Sequence, residues 1–309
     1  MTKYLISRTL QAIIVLFGVT LVTFILVNVV PGDPVLLMLD KRADPQTIAR
    51  IRTELGFDKP YYEQYLSFLG QAIRGDFGQS YFEKTPVTDM IVRSLRHTVK
   101  VASLAFVLAL VVGLAAGIAS AAKHNSVLDR LIMFLSTLSI SAPSFWIAVL
   151  LQILFGVKWR LLPLSGVDKP GSLILPVITL GIAHSASIAR ITRVSVLEAI
   201  NQDYVRTARA KGVDNLTVLL KHVLKNALIP IITIVGLVVR GLLGGSILVE
   251  TVFGIPGFGS LMVSSILTRD LPLLQGCVVY CAAIFVVINL LVDLSYGVVN
   301  PRVRLVEER

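Results

Sequence analysis

The sequence predicts an all-α integral membrane protein with about six transmembrane helices, a small extracytoplasmic insertion after the first, and a cytoplasmic helical segment between the fourth and fifth. Three observations predict it. Of 309 residues, 55% are hydrophobic and 16% charged, and the mean hydropathy is +0.78; a soluble domain carries roughly 25% charged residues. The apolar residues come in runs of about 20, the length that crosses a bilayer core as a helix. Lys and Arg gather in a few short connecting segments, the pattern that sets orientation in a membrane. The net charge of +10 is therefore read as topology. No basic stretch is interleaved with aromatics that would stack bases, so nucleic acid is not an expected partner; the lipid bilayer is.

The spans are Leu10–Val30, Val99–Ala122, Leu131–Val157, Leu173–Val196, Ala227–Leu248 and Leu273–Val299. Residues 1–30 hold the cytoplasmic N-terminus and the first span, with Lys3 and Arg8 ahead of it. The stretch resembles a signal peptide. It is too long for an h-region and has no small-x-small cleavage site before Pro31-Gly32-Asp33-Pro34, so it reads as a retained span. Residues 31–97 form the extracytoplasmic insertion. Nine basic and nine acidic residues between Pro31 and Arg96 suit a small folded cap. Asp44-Pro45 marks a helix start, with Ile48, Ile51, Arg52 and Leu55 at helical spacing and Gly56 ending it. Pro60 opens a second helix with Tyr61, Tyr65, Phe68, Leu69 and Ile73 on one side, closed by Gly75.

Residues 98–299 form a five-helix core. Lys123 and Arg130 flank the second-to-third loop, and the third span is bent at Pro143, among Ser139, Ser141 and Ser144. Their hydroxyls either satisfy backbone groups freed by the bend or face a solute. Lys158, Arg160 and Lys169, against Asp168, lie in the predicted outer loop. His184, beside Ser185 and Ser187 in the fourth span, either contacts a solute or hydrogen-bonds across a helix interface. Arg240 lies in the middle of the fifth span. An isolated Arg there costs several kcal/mol, roughly 2.5–3.5 on the lenient insertion scale, so it must face a wet pathway or a buried acid. Ser141, Ser144, His184 and Arg240 are thus the candidates for lining a translocation pathway. Between the last two spans, residues 250–272 read as an outer re-entrant scoop. Gly254, Pro256, Gly257 and Gly259 break the helix, Phe253, Pro256, Gly257 and Phe258 are the scoop's candidate residues, and Leu261, Met262, Ser265 and Ile266 allow a short amphipathic helix. Cys277 and Cys281, one turn apart, are packing residues, and residues 300–309, with Arg302, Arg304 and Arg309, form a cytoplasmic tail.

Residues 197–226 pose the main question, because this polar, basic segment interrupts an apolar chain without looking disordered. Glu198 to Lys211 are good helix formers, Gly212 interrupts, and Asp214 is placed to cap a second stretch. There Leu216, Leu219, Leu220, Val223 and Leu224 make one apolar stripe at a 3.6-residue period. Two readings stand. The segment lies on the inner leaflet with its basic residues on anionic lipid; or, given the small residues Ala208, Ala210 and Gly212 at the bend, it seats in a pocket on another protein.

The segment resembles the EAA loop of ABC-importer permeases, a pattern of E-A-A, three residues, Gly, nine residues and I-x-L-P. Ala208, Gly212 and Leu224 match its third, glycine and leucine positions; its first acidic residue and final proline are absent. The wording resembles that of one branch, the dipeptide, oligopeptide, nickel and opine permeases. It shows in "DYVRTARAKG" and "NALIP", in "PGDP" at Pro31–Pro34, "LGFDKP" at Leu55–Pro60, "GDFGQS" at Gly75–Ser80 and "GGSILVETVF" at Gly244–Phe253. "PGFG" at Pro256–Gly259, "RDLP" at Arg269–Pro272 and "NLLVDLSYGVVNPRVR" at Asn289–Arg304 continue the series, in order along the whole chain. The resemblance implies a permease subunit forming half of a translocation pathway for di- and oligopeptides. Its partners would be a second, homologous permease, two cytoplasmic ABC ATPase subunits and an extracytoplasmic solute-binding protein. It also implies that Arg206, Thr207, Ala208, Arg209, Lys211, Gly212, Leu216, Leu220 and Leu224 belong to the loop that couples the spans to an ATPase. Nickel or its chelate, glutathione and opines remain alternative solutes.

Other chemistry is excluded on spacing. No G-x-x-x-x-G-K-[ST] occurs, nor any Gly-Lys pair, so ATP hydrolysis is expected in separate subunits and the chain is not expected to be an enzyme. His97, His124, His184 and His222 show no metal-ligand spacing, and no cofactor or metal site is expected. An ion-driven secondary transporter would need intramembrane carboxylates, and apart from Asp293 near a span end the spans have none.

Overall fold

The computed structural model describes residues 2–29, 44–54, 56–214 and 217–299, with the backbone alone at 2–5, 29, 51, 243–245 and 293–299. Pro31–Pro34, Leu55, Leu216, the side chain of Asp293 and the tail with Arg302, Arg304 and Arg309 lie outside the described residues. The described residues form helices α1 (Thr2–Val29), α2 (Pro45–Glu54), α3 (Tyr61–Ile73), α4 (Val87–Ala122), α5 (Val127–Ser141), α6 (Ser144–Leu151), α7 (Ile174–Ile200), α8 (Asp203–Ala210), α9 (Leu224–Val252), α10 (Phe258–Thr268) and α11 (Leu271–Val299). Two π-helical turns extend them: Gln152–Lys158 continues α6, and Val218–Val223 leads into α9. Among the described residues no strand is present, and five helices are long and apolar enough to cross a membrane, or six if α5 and α6 make one broken span.

The chain divides into two compact units, Met1–Arg96 with Ser260–Val287, and His97–Gly259 with Ile288–Arg309. In the first, α1 meets α3 through Phe24 and Tyr65, ring centroids 5.4 Å apart, and through Thr20 Oγ1 and Tyr65 Oη at 3.1 Å. Tyr65, Phe68 and Leu69 are half-buried, whereas Tyr61 and Ile73, expected on the same side, stand exposed. They sit at the two ends of a short helix whose middle alone reaches α1. Buried Asp270 accepts from the Ser80 hydroxyl at 2.5 Å and the Tyr81 amide at 3.2 Å. Burial, with the neighbouring Asp270 carboxylate adding to it, pushes the Tyr81 phenol well above its ordinary range.

The second unit packs α4, α6, α7 and α9 around Val101, Ala105, Ala109, Leu175, Leu180, Ile188, Val238 and Leu242. Gly113 and Gly117 let α4 approach α7: a Cβ at either would stand 2.6–2.7 Å from Ile188, Ala189 or Thr192 atoms. Such small-xxx-small contacts bring helices together where lipid offers no hydrophobic drive.

Two expectations are corrected here. The third span is two helices at 104°, not one bent helix. Pro143 forces Ala142 into an extended conformation, φ −85° and ψ 130°, which ends α5. The fifth span starts earlier than Ala227, because the second stretch of the basic segment is its first turns, running unbroken from Val218 with Pro230 inside the helix. Long apolar helices tolerate such a proline. Arg190 and Arg193 lie within α7.

Contacts inside this unit define its two ends. At one, Ala121 of α4, Val196 and Ala199 of α7, Val205 and Ala208 of α8, and Val218, Val223 and Ala227 share one apolar cluster. At the other, Gln152 Nε2 donates to the carbonyls of Leu164 (2.8 Å) and Val252 (3.1 Å), and Gly166 donates to the Phe253 carbonyl (2.9 Å). The broken pair starts beside the first end, where Arg193 meets Asp129, and finishes at the second, where Gln152 meets Val252.

Candidate coupling segment and helix-end clusters

Helix α8 presents two faces. Val205 and Ala208 are buried in the cluster with Val196 and Ala199, while Tyr204, Arg206, Thr207, Arg209, Ala210, Lys211 and Gly212 are exposed. Of the small residues at the bend, Ala208 thus packs inside its own chain, because α8 is too short to stand off α7 without burying one face. The helix closes with Gly212 at φ +80°, the Gly212 amide donating to Arg209 O (3.0 Å) and the Val213 amide to Ala208 O (3.2 Å). This paired closure needs a left-handed residue, which favours glycine. Val213 tucks against the same apolar cluster. Asp214 caps the next stretch, its Oδ2 accepting from the Thr217 amide at 2.9 Å.

The apolar stripe departs from the expected period. Val218 and Val223 are buried, Leu219 and Leu224 half-buried, and Leu220 is 54% exposed. The turn between Val218 and Val223 is π-helical, which puts residues five apart on one face. A cleft of about 270 Å³ opens beside α8, among Glu198, Gln202, Tyr204 and Asn226.

The four pathway candidates fall in two places. Ser141 is exposed and Ser144 half-buried at the α5–α6 break. His184 of α7 lies against α9, where a Cβ at Gly241 would stand 2.7 Å from His184 Cε1. Arg240, next in the chain, is half-buried, and its Nε has no hydrogen-bond partner among the described residues. In the 250–272 segment, Phe253, Gly257 and Phe258 are buried and Pro256 is exposed.

Two clusters escaped the sequence reading. Asp129, buried in the first turn of α5, accepts from Arg193 Nε (2.7 Å) and Nη2 (2.8 Å), the Asn125 amide (3.0 Å) and the Ser120 hydroxyl, with His124 Nδ1 at 3.4 Å. Glu250, fully buried on α9, accepts from the Thr98 hydroxyl (2.7 Å) and the Gly259 amide (2.8 Å), while Thr98 Oγ1 accepts from the Phe258 amide (2.8 Å). A Cβ at Gly257 would stand 2.4 Å from the Glu250 carboxyl carbon, and one at Gly259 2.5 Å from Ile247 Cα. The glycines of "PGFG" are therefore where backbone approaches the carboxylate. The available signal was an acid followed within nine residues by three glycines.

Comparison with known proteins identifies the family. The family described as binding-protein-dependent transport system inner membrane component matches residues 113–305, and its N-terminal counterpart matches residues 1–102. The chain is 40% identical over 312 residues to a Brucella abortus (strain 2308) protein named as a peptide transport system permease, covering 98% of this chain and 99% of that one. It is 42% identical over 304 residues, with the same coverage, to the glutathione transport system permease protein GsiC of Escherichia coli (strain K12). An inward-facing structure of the MetNI methionine ABC transporter shares the fold at TM-score 0.57 and 18% identity, covering 68% of this chain and 96% of that one. The chain belongs to the binding-protein-dependent transport system inner membrane components, the multi-pass permease subunits of ABC importers.

Proposed function

We propose that the chain imports peptides, forming half of a translocation pathway with a second permease and receiving the work of two ATPase subunits through the exposed face of α8. The observation that carries this reading is the division of that helix. Val205 and Ala208 tie it to the spans, and Arg206, Arg209, Lys211 and Gly212 are exposed on the other side, Arg206 within 3.8 Å of Asp203 on the same helix. A helix lying on lipid would turn its apolar face outward; here that face is spent inside the chain. A solute-binding protein delivers the peptide at the opposite end of the second unit, where residues 253–259 stand. Glutathione, itself a small peptide, is carried by a named relative and fits the same reading. Arg240, half-buried in a long apolar helix, faces the pathway, because lipid exposure there is too costly.

The test is reconstitution of the chain with its partner permease, ATPases and binding protein. Reversing charge with Arg206→Glu and Arg209→Glu should lower ATPase co-purification about tenfold, as expected for losing an interfacial contact worth about 1.4 kcal/mol. The spans should stay inserted. Full docking with full solute-stimulated hydrolysis would return the lead to lipid binding. In the same vesicles, Arg240→Leu should change uptake or preference among a dipeptide, a tripeptide and glutathione. Loss of assembly alone would make Arg240 structural, and uptake of nickel but no peptide would overturn the solute class.

A further inference from the structure

We infer that Glu250 is a positioning residue that makes the coupling segment and the outer turn, residues 253–259, move as one body. This rests on the reading of α8 as the ATPase contact. The helix beginning at Val218 is packed at its start against Val205 and Ala208 of α8. It runs uninterrupted to Val252, roughly 50 Å at 1.5 Å per residue. At its far end it closes on itself, the Phe253 amide donating to Val249 O (3.0 Å) and the Ile255 amide to Glu250 O (2.9 Å).

Closing a helix does not fix the chain beyond its last turn; the Glu250 side chain does. Its carboxylate takes the Gly259 amide in the first turn of α10 and the Thr98 hydroxyl of α4, and that hydroxyl takes the Phe258 amide. The first two amides of α10 are thus satisfied by groups on α9 and α4. A carboxylate at a helix N-terminus also meets the positive end of the helix dipole. With Gly257 and Gly259 leaving no room for a side chain against Glu250 and Ile247, the turn has one seat. Phe253 and Ile255 are buried beneath it. A displacement of α8 that drags the start of this helix therefore reaches the turn through a hydrogen-bonded clamp and not through a free loop.

The experiment uses the reconstituted complex with Pro256→Cys, an exposed position of the turn, and reads its reaction with a membrane-impermeant maleimide with and without vanadate-trapped nucleotide. The same complex lacking the introduced thiol gives the background from Cys277 and Cys281. With Glu250 intact, trapping should change the labelling rate severalfold. Glu250→Ala should abolish that dependence and lower solute-stimulated hydrolysis about tenfold, the scale of one lost charge-assisted hydrogen bond, while ATPase co-purification stays normal. Glu250→Gln keeps one acceptor, and Thr98→Val removes the donor to Glu250 and the acceptor of the Phe258 amide but no charge; both should reproduce the effect in part. Nucleotide-dependent labelling that survives Glu250→Gln and Thr98→Val unchanged would overturn the inference, even if Glu250→Ala failed to assemble. Absence of ATPases from the unsubstituted complex would instead strike the reading of α8, so the two failures are separable.

Discussion

Gly212 stands at φ +80° with nothing within 4 Å of where a Cβ would be. Its constraint is therefore conformational and not steric. A non-glycine residue there costs about 1–2 kcal/mol of local backbone free energy, and Ala and Leu should cost alike. We expect Gly212→Ala and Gly212→Leu to lower stability in detergent equally. If the bend touches an ATPase subunit, Leu should weaken ATPase co-purification and solute-stimulated hydrolysis well beyond Ala. Equal behaviour in both assays would show that the bend is not the contact. Gly212 and Asp214 were legible in the sequence because turn and cap chemistry is local. The Thr98–Glu250 and Asp129–Arg193 contacts join residues 152 and 64 positions apart, and nothing near either partner in the sequence names the other.

At the scale of the element, apolar run length placed the spans and hid their irregularities. A proline among serines gives the position of a bend; the 104° between α5 and α6 is set by what the two helices pack on. The π-helical turn at Val218–Val223 defeated a 3.6-residue template for the same reason, since the cluster around Val205 and Ala208 decides which residues go inside. The Asp129 cluster holds three of these elements at one end. Ser120 belongs to α4, Asp129 to α5 and Arg193 to α7, beside the apolar cluster on which α8 sits. Asp129→Asn should leave the guanidinium without its charged partner. His124, 46% exposed, brings water to the edge of the cluster, so the loss belongs low in the range, about 1–3 kcal/mol. Thermal unfolding of the solubilised chain should show it. Asp129→Leu with Arg193→Leu should recover most of it, since removing both charges leaves none unpaired. A double variant as weak as the single one would mean that shape, not charge, holds the corner.

For the whole molecule, the number of crossings decides on which side each terminus lies, and the α5–α6 pair decides that number. Counted as no crossing, it leaves five spans and termini on opposite sides; counted as one, it gives six and termini on the same side. The contacts within the second unit favour a crossing. Asp129 is tied to Arg193 beside the Ala121–Val205 cluster, whereas Gln152 is tied to Val252 and Gly166 to Phe253. The basic residues agree. Lys123, Arg130, Arg206, Arg209, Lys211, Lys221 and Lys225 lie in or beside the connections at the first end, against Lys158, Arg160 and Lys169 at the second. Excess Lys and Arg in short connections marks the cytoplasmic side, so we expect the α8 end to face inward. We therefore expect a reporter active only in the cytoplasm to work when fused after Arg309 or inserted at Asn125, in the α4–α5 turn. A reporter active only outside should work at Lys84, ahead of α4, and at Asp168. Outside-only activity after Arg309 with cytoplasmic activity at Asn125 would leave the α8 end inside and remove a crossing between them. Outside-only activity at both sites would invert the chain, and α8 could then no longer meet an ATPase.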